Sequence, residues 1–199
     1  MAKLSTLTDA FDDNYLDPAK WSKYEQYGAT LAEVNNRIEI STANNVNCEA
    51  DLYSESTYDL TDSYYTIQLI DLSELTSGST TTMNFGLYAT QFLDGIYWRF
   101  DSTGKIYASK RVSGSFVDLA NATYIANTHK YLRVIEADGT TYWDYSSSGY
   151  SWTNFYSTAN FITLTALTVN FWLASWSTGD PSITISFNNA FVPWLFENL

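Results

Sequence analysis

The chain carries one cysteine, Cys48, in 199 residues, so no internal disulfide can form and the fold must stand without a covalent framework. A lone cysteine of this kind is read as a small buried hydrophobe. Proline is scarce as well: Pro18, Pro181 and Pro193 all fall outside the segments read below as strands. No apolar run approaches the ~18 residues that a membrane-crossing helix needs, and the opening Met-Ala-Lys-Leu-Ser-Thr-Leu-Thr-Asp lacks the apolar stretch of a secretory leader, so membrane insertion is not expected. Positive charge is sparse. Ten basic residues against twenty-two acidic ones leave a net charge of -12 with no basic stripe, which excludes nucleic acid as a partner. The single histidine, His129, has no serine or cysteine elbow motif near it in sequence, so a hydrolase triad has no support; it is expected at the surface, where a strand starts.

What the chain has in abundance is aromatic and β-forming. Sixteen tyrosines and seven tryptophans, with frequent Thr, Ser and Asn, favour pleated sheet and tight turns over helix. No window has helical period and length, whereas period-2 segments recur between Gly, Asn, Asp and Ser clusters. They predict strands over 30–34, 37–42, 49–56, 64–72, 83–90, 96–101, 105–112, 129–137, 140–145, 166–175 and 182–188. Asn35-Asn36, Asp94-Gly95 and Asp138-Gly139 supply hairpin or turn signals between neighbours. Eleven or more short strands in a chain long enough for one domain predict an all-β, two-sheet antiparallel sandwich.

The pleat then assigns faces. Ile96, Trp98 and Phe100 share one face, as do Leu132, Val134 and Trp143, and Leu167, Val169, Phe171 and Leu173; these are the expected core. The opposite faces present Tyr97, Arg99, Tyr107, Tyr131, Arg133, Tyr142, Asp144 and Trp172. Aromatic faces stack on sugar CH surfaces while Arg and Asp satisfy hydroxyls, so this set is the candidate glycan-binding surface. The alternative is a tyrosine-rich sheet face covered by a loop or a neighbouring subunit.

Two segments carry a family resemblance. Phe11-Asp12-Asp13-Asn14-Tyr15-Leu16-Asp17, running on to Lys20-Trp21, resembles the opening of concanavalin A-like lectin, glucanase and laminin-G-like jelly rolls, and 183–191 resembles their closing strand. In that family the first strand lies beside the last, and Phe11 and Trp21 are expected to pack beneath the closing strand around Phe187. The run from His129 to Thr153 resembles a hairpin of jelly-roll domains in bacteriophage structural and minor tail proteins. The resemblance implies a jelly roll over 1–189, followed by an apolar tail over 190–199. Phe191, Val192, Trp194, Leu195 and Phe196 of that tail either pack on the sandwich or dock on a partner.

The resemblance further implies a virion accessory protein, of capsid or tail, made in a host cytoplasm. Its expected partners are other virion proteins, a second copy of the chain, and a glycan. No cofactor is expected, with one opening: Asp12, Asp13 and Asp17 either offer oxygens to Ca²⁺ or form turns whose side chains bond their own backbone. Glu49-Ala-Asp51-Leu-Tyr53-Ser-Glu55 resembles the carboxylate signature of jelly-roll glucanases. On a strand rising ~3.3 Å per residue, however, Glu49 and Glu55 stand roughly 20 Å apart, and a retaining pair needs about 5 to 5.5 Å. A solvated acidic face, no catalytic residue and no enzymatic activity are the expectations from that spacing.

Overall fold

The computed structural model describes residues 1–44, 46–77, 80–89 and 93–189. Among them fourteen strands form two antiparallel seven-stranded sheets. They are β1 (Trp21–Gln26), β2 (Thr30–Val34), β3 (Arg37–Ser41), β4 (Cys48–Ser54), β5 (Tyr64–Asp71), β6 (Thr82–Tyr88), β7 (Gly95–Asp101), β8 (Lys105–Val112), β9 (Ser115–Thr123), β10 (Tyr131–Ala137), β11 (Thr140–Ser146), β12 (Thr153–Ala159), β13 (Thr168–Ser175) and β14 (Thr184–Asn189). The first sheet runs β1-β4-β13-β6-β7-β8-β9 and the second β12-β11-β10-β5-β14-β3-β2. The expected sandwich is present, as are the predicted core faces: Ile96, Trp98, Phe100, Leu132, Val134, Trp143, Leu167, Val169, Phe171 and Leu173 are all buried. The tail candidates Phe191, Val192, Trp194, Leu195 and Phe196 lie outside the described residues.

Alternation explains how each strand turns one side inward. In β4, Cys48, Ala50, Leu52 and Ser54 are buried while Glu49, Asp51 and Tyr53 face out half-exposed. Between the sheets, Phe85, Phe171 and Phe187 stack in file, with centroids 5.2 and 4.2 Å apart. Phe11 sits edge-on to Phe187 at 6.4 Å and 5.4 Å from Trp21, so the opening segment does pack beneath β14. Its position departs from the family pattern in one respect. Residues before Trp21 form no strand, and β1 pairs with β4, while β14 lies between β3 and β5.

Two tryptophans tie the sheets together. Trp98 of β7 donates its ring N–H to the Arg133 carbonyl of β10 at 3.1 Å, and Trp143 of β11 donates to the Tyr97 carbonyl of β7 at 2.8 Å. Each buried indole therefore finds a partner on the other sheet, as a buried ring N–H must. His129 is a correction to the sequence reading. It is buried between Tyr124 and Tyr145, and its Nδ1 accepts the Ile125 N–H at 2.9 Å. Burial pushes its pKa below the ordinary histidine value.

Glu136, also buried, fastens one end of the second sheet. Its carboxylate accepts the backbone N–H groups of Asp62 (2.6 Å) and Gly139 (2.8 Å) and the Asn160 amide (3.0 Å). Glu136→Gln preserves shape but turns one acceptor into a donor facing a donor. Chemical denaturation should show a loss of about 2 kcal/mol, the worth of one charged hydrogen bond; an unchanged midpoint would show that water replaces the lost acceptor.

Candidate functional site

The outer face of the first sheet is a groove built mainly from β4, β13, β6 and β8, with β1 and β9 at its sides. Its central depression, about 240 Å³, is lined by Glu49, Asp51, Asn84, Tyr88, Arg111, Phe116 and Trp172. A second depression of about 450 Å³ continues over Tyr24, Asp51 and Tyr53, and a third of about 300 Å³ over Asn84, Asp118, Trp172 and Trp176. Because the three share lining residues, they read as one continuous groove of the size range that ligands occupy.

Register sets the floor. Trp172 of β13 lies opposite Asp51 on one side and Asn84 on the other. Its side chain leans along the strand, so the indole N–H bonds Glu49 Oε2 at 3.1 Å while Asn170 Nδ2 bonds Asp51 Oδ1 at 3.0 Å. Both carboxylates are thus held by one donor each, and both keep a second oxygen for a ligand. Asn84 and Asn170 are buried, yet Oδ1 of each has no hydrogen-bond partner among the described residues. An orphaned buried acceptor costs about 1–3 kcal/mol, and Asn84 lines the central depression, so its oxygen is the one that a donor arriving in the groove would satisfy. Burial pushes the Asp51 carboxyl up to about 6, with the nearby Glu49 charge adding to the rise and the Asn170 hydrogen bond opposing it.

The eight residues expected to form one glycan surface divide between opposite sides of the sandwich. Tyr97, Arg99, Tyr107 and Trp172 lie on the first sheet, while Tyr131, Arg133, Tyr142 and Asp144 lie on the second. Strand alternation gives the face of each residue but not which sheet its strand joins. Within the first group, Trp172 presents its ring to the groove and Arg99 lines its third depression. Tyr97 is buried, lying across Gly86 and Gly95. The Arg99 guanidinium is bound by Asp118 at 2.7 and 3.2 Å and stacked 3.8 Å over Tyr107, whose hydroxyl donates to Asp101 at 2.6 Å. On the second sheet, Arg133 pairs with the buried Asp144 at 2.8 and 2.9 Å and lies 4.5 Å over Trp152, so its donors and its face are both engaged.

Of the three aspartates considered for calcium, two are committed to turns. Asp13 Oδ1 accepts the Tyr15 N–H and Asp17 Oδ1 the Ala19 N–H, each at 2.9 Å. Among the described residues no group of three or more His, Cys, Asp or Glu side chains is placed to hold a metal ion.

The groove and the sandwich place this fold among concanavalin A-like jelly rolls. Neither a protein-family model nor a curated protein sequence matches the chain. Solved structures do. A Bacillus licheniformis β-glucanase superposes with a TM-score of 0.61 at 12% identity, covering 90% of this chain and 94% of its own. A non-specific endo-β-1,3(4)-glucanase of family GH16 gives 0.65 at 10%, covering 91% and 89%. The exoplasmic/lumenal domain of VIP36, solved with Ca²⁺ and Man3GlcNAc, gives 0.59 at 10%, covering 96% and 91%.

These neighbours overturn the expectation of a chain without enzymatic activity, since glucanases stand among the structures that share its fold. The physical reason lies in which carboxylates were paired. Glu55 falls beyond the end of β4 and is exposed, whereas Glu49 and Asp51 share one face of the strand, roughly 7 Å apart along it. Asn84, Asn170, Arg111 and Phe116 were absent from the expected site. Their alternation was legible, but only the sheet order brings β6, β8, β9 and β13 around one groove.

Proposed function

We propose that the chain binds a glycan in the groove of the first sheet. The carrying observation is Trp172 set in one depression with the half-buried carboxylates of Glu49 and Asp51 and the buried amide of Asn84, whose oxygen lacks a partner. An indole offers a sugar ring an apolar face, and the oxygens accept the hydroxyls around its rim. Glycan-acting neighbours on the same scaffold support the reading.

In affinity electrophoresis against a panel of neutral and acidic polysaccharides, the wild type should be retarded by at least one. Trp172→Ala should weaken that retention tenfold or more, because losing a central aromatic anchor costs about 2 kcal/mol. Trp172→Phe, which keeps a ring, should retain most of it. Equal retention of the alanine variant would remove the groove from the function.

The Asp51 carboxyl, raised by burial to about 6 and roughly 7 Å along the strand from Glu49, favours a second reading, in which the bound glycan is also cleaved: Asp51 holds its proton to a higher pH than an ordinary aspartate, as a general acid must. Release of reducing ends that disappears in both Glu49→Gln and Asp51→Asn supports cleavage, and release indifferent to both excludes this pair. The setting we propose, a bacteriophage particle, rests on the resemblance of the His129 to Thr153 segment. Mass spectrometry of purified particles tests it.

A further inference from the structure

Arg111 stands apart from the other arginines of the chain. Arg37 pairs with Glu39 at 2.7 Å, Arg99 with Asp118 at 2.7 Å and Arg133 with Asp144 at 2.8 Å. Arg111 has no carboxylate within 4.0 Å among the described residues. Its Nε donates to the Gly114 carbonyl at 3.0 Å and its guanidinium lies 5.0 Å over the Phe116 ring, which fixes the group in place without neutralising it. It lines the central depression of the groove.

In a protein of net charge -12 with abundant carboxylates, a held but unpaired guanidinium is an exception that calls for an anion. The sheet order places it away from the acidic strand. From β4 through β13, β6 and β7 to β8 is four strand steps, roughly 19 Å at the backbone. The groove therefore sets Glu49 and Asp51 on one wall and Arg111 on the other, with Trp172 and Asn84 between them; Asp118, on the Arg111 side, is already paired with Arg99.

Resting on the groove reading above, we propose that the ligand is an acidic glycan whose carboxylate or sulfate ester is seated on Arg111. A neighbouring sugar ring then lies on Trp172, with hydroxyls donated to Asn84 and Glu49. A neutral glycan would leave the guanidinium facing only water or hydroxyls, and a planar fork of N–H donors matches an oxyanion better than either. The net negative charge sharpens the inference, because the chain has no general attraction for polyanions and retention by one must come from a local site.

The test is affinity electrophoresis in matched pairs: polygalacturonate against its methyl ester for the carboxylate, dextran sulfate against dextran for the sulfate, with lichenan as a neutral control. Wild type should be retarded by the charged member of one pair and weakly or not at all by its neutral twin; which pair responds identifies the anion. Arg111→Ala should lose about 10- to 100-fold in that affinity, and Arg111→Lys should recover part of it. Thermal melting confirms that both variants fold.

Retention by neutral glycans that is indifferent to Arg111→Ala overturns the acidic-ligand proposal and leaves the groove reading standing. Retention by an acidic glycan that is equally indifferent removes Arg111 from the site. Retention by no member of the panel overturns the groove reading and this proposal together.

Discussion

Gly86→Ala should destabilise the protein by about 3 kcal/mol or more, a fall of roughly 6 to 12 °C in Tm for a domain of this length, although it adds only one methyl group. A Cβ at Gly86 would lie 2.2 Å from Tyr97 Cδ1 and 2.5 Å from Cε1. The ring has little room to retreat, since it is buried, with Tyr88 and Phe116 both 5.1 Å away centre to centre. Gly86 pairs directly with Tyr97 across β6 and β7, so the glycine is the seat on which the ring rests. A double-mutant cycle makes the claim specific. Tyr97→Ala alone should be costly through the cavity it leaves, but Gly86→Ala added to it should cost little, a coupling of about 2 kcal/mol or more. Additive losses would mean the ring is not what the methyl strikes.

Asp51→Asn should stabilise the protein, and only above a definite pH. The Asp51 carboxyl rises from 3.8 to about 6 on folding, so the folded protein resists its ionisation. Below about pH 3.8 the group is protonated in folded and unfolded chains alike and carries no penalty. Stability is then lost as pH rises, fully so above about 6, and the loss approaches 3 kcal/mol from a shift of about two units. Asparagine keeps an oxygen for the Asn170 amide and never ionises. Melting curves should therefore coincide for wild type and variant near about pH 3, and the variant should melt roughly 5 to 10 °C higher at about pH 8. Equal melting at pH 8 would show that the groove solvates the charge fully.

Much of the fold was legible because eleven strands announce themselves by alternation or by a turn. The three that did not, β1, β9 and β12, all lie at sheet edges. There one face meets solvent and the pattern fades: β9 is almost wholly exposed or half-exposed, and its pairing with β8 slips by a residue at Ala108 and Ser109. Near β12 the register shifts between Trp143 and Asp144, bringing Phe155 and Tyr156 both into the core edge. The fourth edge strand, β2, was found because Asn35 and Asn36, both at positive φ, mark its hairpin. The groove was less legible. Alternation turns Trp172, Glu49 and Asp51 outward, but the Glu49 to Glu55 spacing carries no information on the partners around them, which come from strands far away in sequence.

That distance has a kinetic side. β13 is flanked by β4 and β6, and β14 by β5 and β3, so strands within residues 168–189 lie inside both sheets, with a neighbour on either side. Asn170 meets Asp51 across 119 positions of chain. At synthesis rates of about 5 to 20 residues per second, the earlier strands wait several seconds with unpaired edges before their central neighbours exist. The sandwich therefore closes late, as an arch waits for its keystone, and a chain stopped before β13 would leave each sheet in two pieces whose bare edges are prone to join those of its siblings.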